Sequence, residues 1–163
     1  MKKTIKSLEE LNSFVVSLAG DVVKYCKEHK KEKATIFTLQ GDLGAGKTTF
    51  SKSFIGSFGV KETVTSPTFV IEKIYKIPNK KSLGNRVSKF KNIIHIDAYR
   101  LTSGEDLEVL GWEEISNNPE NIILIEWPEM VQDTLPDDVH NIKFKVINET
   151  TREIETDTEL IQK

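Results

Sequence analysis

Apolar positions recur along this chain with two different periods, and the change from one to the other marks its elements. Leu8, Leu11, Val15, Leu18, Val22 and Tyr25 follow one another at helical spacing, which puts them on one face of an amphipathic helix reaching about His29. Ser7 and Glu10 open it as a capping box, each side chain accepting from the other residue's backbone N–H. Gly20 weakens the helix by about 1 kcal/mol relative to Ala without ending it. A short strand over 4–6 precedes it. The Lys-rich stretch 27–33 follows as an exposed connection, with His29 a solvent residue near the helix C-terminus.

The pattern then changes. Residues 34–39 form an apolar run, 47–58 read as a helix, and Gly59 ends that helix. Ser66-Pro67 opposes helix, and the alternation through 71–77 favours a strand. A polar break over 78–85 and a second strand over 92–100 make the pair an antiparallel hairpin with a long basic tip. Ser103 caps a helix with acids in its first turn, ending near Gly111. Ile122-Ile123-Leu124-Ile125 is a continuous apolar run that ends in Glu126, the look of a buried parallel strand. A short helix over 128–135, an alternating strand over 139–148 and a last strand at 152–154 complete the order.

Chemistry enters between the second apolar run and its helix. Gly41-Asp42-Leu43-Gly44-Ala45-Gly46-Lys47-Thr48 fits G-x-x-x-x-G-K-[ST], the phosphate-binding P-loop, in the strand–loop–helix setting that lets it work. Backbone N–H groups and the helix N-terminus face the phosphates. Lys47 reaches the β- and γ-phosphates, and the Thr48 hydroxyl serves Mg²⁺. A chance match in a chain this long has a probability of roughly one in a hundred or less. The predicted fold is therefore α/β: a single P-loop NTPase domain over residues 1–163. It is a three-layer α/β/α arrangement with a mixed sheet and an antiparallel hairpin after the switch segment.

Composition narrows the setting. The chain has 163 residues, 37% hydrophobic and 29% charged, the balance of a soluble globular domain. No apolar run approaches the ~18 residues of a membrane span, so no membrane role is expected. Cys26 is the sole cysteine, which excludes an internal disulfide and suits a cytoplasmic location. The net charge of −2 hides an asymmetry. Lys73, Lys76, Lys80, Lys81, Arg86, Lys89 and Lys91 fall in a stretch without acids, whereas residues 101–142 hold no Lys or Arg. That imbalance predicts a basic and an acidic face, or simply two solvated surfaces.

Turnover needs a carboxylate at the end of a hydrophobic strand to complete the Mg²⁺ site. Glu126 and Asp97 both qualify, the second on a strand interrupted by His95. Either would act at the metal or orient the attacking water, or else stand at a strand end facing solvent. His95 shares a strand face with Asp97, and a satisfied structural histidine is its first reading. Thr65-Ser66-Pro67-Thr68 lies where nucleotide switches keep hydroxyls that sense the γ-phosphate, or forms an ordinary Ser-Pro turn. Asn79-Lys80-Lys81-Ser82 lacks the Asp of a guanine-specific loop, and no Arg-rich lid follows Arg100. The first disfavours guanine specificity. The second disfavours, as the alternative function, a free-standing small-molecule or nucleoside kinase.

Four segments taken together resemble one family. They are the P-loop continued through Thr49-Phe50, then Thr65-Ser66-Pro67-Thr68-Phe69, His95-Ile96-Asp97-Ala98-Tyr99-Arg100-Leu101, and Ile125-Glu126-Trp127-Pro128-Glu129. Their order and spacing resemble the bacterial TsaE-type ATPases needed to make threonylcarbamoyladenosine in tRNA. The resemblance implies binding of ATP and Mg²⁺ and weak ATPase activity that partners stimulate. The partners implied are a transferase subunit and its structural paralogue, with hydrolysis resetting the complex between turnovers. It implies Lys47, Asp97 and Glu126 as catalytic residues, and Thr48, Glu126 and Asp97 as the metal set. It implies nucleotide contacts from Gly41, Leu43, Gly44, Ala45, Gly46, Lys47, Thr48 and Thr49, with Ser7 and Arg152 by the adenine. It further implies Thr65 to Thr68 as the switch and Tyr99, Arg100 and Trp127 beside the site or facing a partner. The hairpin 76–91 is longer and more basic than the family pattern, so tRNA contact is expected either indirectly or through that hairpin.

Overall fold

The computed structural model describes residues 1–65, 67, 69–78 and 89–156. Seven strands form one mixed sheet: β1 (Lys2–Ile5), β2 (Thr35–Gln40), β3 (Glu72–Lys76), β4 (Asn92–Asp97), β5 (Asn121–Glu126), β6 (His140–Val146) and β7 (Arg152–Thr156). Their spatial order is β1-β7-β6-β2-β5-β4-β3. The four inner strands β6, β2, β5 and β4 run parallel. Antiparallel β3 closes one edge, and antiparallel β7 and β1 close the other. Helices α1 (Leu8–Glu28) and α2 (Lys47–Ser57) cover one face, while the short α3 (Glu105–Val109) and α4 (Trp112–Ser116) lie on the other.

The period-two alternation of strand side chains sorts residues between these layers. On β5, Ile122 and Leu124 enter the core beneath α1 and α2, and Ile123 and Ile125 enter the one beneath α3 and α4. Glu126 continues the Ile122–Leu124 parity, so it points to the α2 side. On β4, Ile93 belongs to that same core, which carries His95 and Asp97 to the same side. Parallel pairing sets Asp97 opposite Glu126, so two strand ends deliver two carboxylates under the N-terminus of α2.

The predicted hairpin exists, with Glu72 opposite Ile96 and Lys76 opposite Asn92. Its tip, residues 79–88, lies outside the described residues, and with it Lys80, Lys81 and Arg86. Several local expectations change. At the start of α1 the Glu10 N–H donates to Ser7 Oγ at 3.2 Å, but the Glu10 carboxylate accepts from Lys6 N–H at 2.8 Å, one residue earlier than a capping box requires. Ser103 does not cap α3, whose N-cap is Gly104. Asp106 instead accepts from the Thr102 and Ser103 N–H groups. The helix expected over 128–135 is a 3₁₀ turn, Pro128–Met130. The strand expected over 92–100 stops at Asp97 and turns through Ala98–Arg100, because the Asp97 carboxylate accepts from Tyr99 N–H at 3.1 Å. Among the described residues, no helix is long and apolar enough to cross a membrane.

Glu72 carries a consequence for stability. Its Oε2 is buried with no hydrogen-bond partner among the described residues, and burial pushes the carboxyl above the usual carboxylate range. The folded chain then binds that proton more tightly than the unfolded chain, so stability falls as pH climbs from the ordinary value through the raised one. Glu72→Gln is expected to raise the neutral-pH Tm slightly, on the order of 1 °C because partial exposure screens the charge. Thermal melts should show the gain at pH 7 and its loss near pH 4. A destabilised variant at pH 7 would contradict the assignment.

Candidate functional site

The P-loop leaves β2 at Gly41 and enters α2 at Lys47. Gly41, Gly44 and Gly46 hold φ of 153°, 77° and 105°, values that favour glycine. A Cβ on Gly44 or Gly46 would meet nothing within 4 Å, so at both positions the backbone borders open space. That is the cradle a phosphate chain needs. A Cβ on Gly41 would instead come within 2.6 Å of the Phe144 carbonyl oxygen of β6. That glycine is required for packing.

Lys47 is buried. Its ammonium donates to the carbonyls of Gly41 at 2.5 Å and Asp42 at 2.9 Å, and stands 3.9 Å from the centre of the Trp127 ring. Burial lowers its pKa below the usual lysine range, while Glu126, Glu129, Asp97 and Asp42 pull it back up. Thr48 donates to Glu126 Oε2 at 2.9 Å. On the other carboxylate oxygen, Oε1, His95 Nε2 sits at 2.8 Å and Ser51 Oγ at 3.3 Å. Trp127 follows Glu126 with φ of 59°, a left-handed turn that costs a non-glycine residue about 1–2 kcal/mol. That turn brings the indole under Lys47 and within 5.1 Å of the Tyr99 ring, centre to centre.

Two cavities adjoin this loop. One, about 390 Å³, is lined by Lys47, Thr48, Asp97, Tyr99, Glu126 and Trp127 among others. The second, about 350 Å³, runs from Ser7 and Leu8 past Phe144 to Arg152 and Ile154. They share Gly44, Gly46 and Thr49. The first is the more polar and carries hydroxyl and carboxylate oxygens. Such hard donors, with phosphate oxygens and water to complete an octahedron, fit Mg²⁺. The second has an apolar floor, with Ser7, Thr49 and Arg152 along it, suited to a planar base. Arg152 also donates to the Gly44 carbonyl at 3.4 Å and to that of Asn148 at 2.7 Å, tying the β6–β7 turn to the P-loop. A larger groove, about 800 Å³, lies between β1 and α1 and does not include the P-loop.

The structure thus brings Lys47, Thr48, Asp97, Glu126 and Trp127 to one cavity, and Ser7 and Arg152 to its neighbour. Ala45 is buried beneath the loop and Leu43 stands exposed at its tip. Tyr99 is largely exposed, and the Arg100 guanidinium lies 4.9 Å from the Phe69 ring centre. The switch segment is a different case. Thr65 and Pro67 line neither cavity, and Ser66 and Thr68 lie outside the described residues. What links this segment to the site is backbone: Ile71, at φ 67°, accepts from Asp97 N–H at 2.8 Å. His95, read first as a structural histidine, faces the site through Glu126. Ser51 was not foreseen, although it follows Thr48 by three residues in α2 and so shares its face.

Among the flanking lysines, Lys73 pairs with Glu62 at 3.8 Å and Lys91 with Glu120 at 2.8 Å. Lys89 donates to the Lys31 carbonyl at 3.1 Å.

A family model described as "Threonylcarbamoyl adenosine biosynthesis protein TsaE" matches residues 6–154. A protein named tRNA threonylcarbamoyladenosine biosynthesis protein TsaE from Rickettsia typhi is 40% identical over 118 residues, 72% of this chain and 73% of that protein. Its namesake from Rickettsia bellii is 36% identical over 149 residues, 91% of this chain and 88% of the other. The crystal structure of Bacillus subtilis YdiB superposes with a TM-score of 0.67 at 26% identity, covering 96% of this chain and 83% of that one.

Proposed function

The chain belongs to the TsaE family of threonylcarbamoyladenosine biosynthesis proteins, and we propose that it serves tRNA modification as an ATP-binding, slowly hydrolysing ATPase. It acts on a two-protein core, a transferase subunit and its structural paralogue, and meets tRNA through them. The observation that supports this reading best is the convergence of Lys47, Thr48 and Glu126 on one polar cavity at the head of α2. Contact with tRNA through the basic hairpin 76–91 stays open beside the indirect route; of its flanking lysines, Lys91 pairs with Glu120 and Lys89 donates to the Lys31 carbonyl.

The geometry supports the following roles. The loop N–H groups and Lys47 hold the phosphates, and Thr48 with Glu126 and Asp97 would hold Mg²⁺. When bound there, the ion would supply charge neutralisation at the transferring phosphoryl group. Lys47 must first leave the carbonyls of Gly41 and Asp42 and the face of Trp127, since those contacts occupy its ammonium. Thr48, whose hydroxyl now donates to Glu126 Oε2, would be a ligand of the metal. Binding would therefore uncover the face of Trp127, whose ring neighbour Tyr99 lies exposed where a partner would read the change. Arg152 and Ser7 border the base.

Nucleoside analysis of tRNA from cells depleted of this protein tests the reading directly. Threonylcarbamoyladenosine is expected to fall at least tenfold, to return with the wild-type chain, and to stay low with Lys47→Ala. Unchanged modification after depletion would refute it. ATP-dependent phosphorylation of a nucleoside by the purified chain would instead favour a kinase.

A further inference from the structure

The Glu126 carboxylate is gripped unevenly. Among the described residues Oε2 meets only the Thr48 hydroxyl, at 2.9 Å, on the side that opens to the cavity. Oε1 meets two groups on the inner side, His95 and Ser51. These two are not equal. Ser51 has a single proton, and its hydroxyl lies closer to the Lys47 carbonyl, 3.1 Å, than to Oε1, 3.3 Å. Among the described residues the histidine has no rival acceptor for its Nε2 proton. Its other ring nitrogen, Nδ1, is buried without a partner among the described residues. The ring is 0% exposed and Glu126 2%, so the inner contact between Nε2 and Oε1 is shielded from solvent. A histidine with one nitrogen unsatisfied is an expensive way to fill a strand position between isoleucines. Its one side-chain hydrogen bond among the described residues is to the carboxylate.

We infer that His95 is a positioning residue: its Nε2–H ties off Glu126 Oε1, so that Glu126 serves the site through Oε2 alone. The inference rests on the reading of Glu126 as the metal-associated carboxylate. With Oε1 held, the carboxylate cannot rotate to chelate through both oxygens. One acceptor stays fixed beside Thr48, the geometry in which a hydroxyl and one carboxylate oxygen share a hard cation. Partners that orient a ligating carboxylate in this way typically carry a 10–100-fold effect on metal affinity. Ser51 contributes less, because its proton is shared with the helix carbonyl.

The test separates metal from nucleotide. Binding of a fluorescent ADP analogue to the full chain is titrated with Mg²⁺, and repeated in EDTA, for wild type, His95→Leu, His95→Gln, His95→Asn and Ser51→Ala. His95→Leu is expected to raise the half-saturating Mg²⁺ concentration about 10- to 100-fold while leaving metal-free affinity within about twofold. His95→Gln, whose amide reaches as far as Nε2, should recover to within about threefold of wild type. His95→Asn, one bond shorter, should not, and Ser51→Ala should shift by less than about threefold. Should His95→Leu fail to fold, the Gln and Asn pair carries the test, since both keep a polar side chain at this position. A Mg²⁺ midpoint unchanged in His95→Leu, or equal in Gln and Asn, overturns the inference and leaves the functional reading standing. No Mg²⁺ dependence in the wild type overturns both.

Discussion

Glu126→Gln is expected to slow partner-stimulated ATP hydrolysis by about 100- to 1,000-fold, or about 2.7–4 kcal/mol of barrier. The substitution does more than remove a charge. His95 and Ser51 both approach one oxygen of the native carboxylate, and in the amide that position goes to the carbonyl, the only acceptor left. The –NH₂ is then turned toward Thr48 and the open cavity, presenting a donor where a cation would sit. Nucleotide still finds the loop N–H groups and Lys47, so metal-free ADP affinity should stay within about threefold of wild type. Single-turnover hydrolysis and ADP binding in EDTA measure the two effects separately. Hydrolysis within threefold of wild type would remove Glu126 from the proposed chemistry.

Gly41→Ala should be the most destabilising small substitution in the loop. The added methyl would lie 2.6 Å from a backbone oxygen of β6 and 3.0 Å from the Phe144 Cβ, at a φ of 153°. Neither obstacle is the far end of a flexible side chain, so β2 and β6 must part or the loop must refold. A loss of about 2–4 kcal/mol follows, a fall in Tm of roughly 4–16 °C. Gly44→Ala is the control. Its Cβ would meet nothing within 4 Å, although φ is 77°, so it should cost about 1–2 kcal/mol of backbone strain. Its larger effect should be on nucleotide affinity, because the methyl enters the open space beside the loop. Urea denaturation without ligand ranks the two. Equal stabilities would contradict the close approach of Gly41 to β6.

Much of the site could be read along the chain. The glycines, Lys47 and Thr48 are contiguous, and their spacing encodes a mechanism. Glu126 and Asp97 end hydrophobic runs, and strand parity sends both to the side where α2 lies. The long helix α1 and the buried strand β5 also follow from periodicity, the first over six turns of regular spacing and the second from four consecutive apolar residues. Short elements resisted. α4 has only five residues, Trp112–Ser116, too few for a period to emerge. The 3₁₀ turns after β4 and β5 depend on one residue in each case, the Asp97 side chain bonding Tyr99 N–H and the Trp127 backbone taking a left-handed conformation before Pro128.

The sequence by itself determined the glycine-rich loop between a strand and a helix and the two acids that end hydrophobic strands. These are local properties: dihedral preference at glycine, and a charge where an apolar run stops. Only the tertiary structure decided which groups share Glu126. Thr48 and Ser51 come from α2 and His95 from β4, separated from Glu126 by 78, 75 and 31 residues. Their meeting depends on the order of parallel strands and on the docking of α2 over them, neither of which a local pattern encodes. The same holds for Lys47 against Trp127 and for Gly41 against β6. Long-range packing converts a phosphate cradle into a site where one carboxylate oxygen is held from within by His95 and Ser51 and the other meets Thr48 at the cavity.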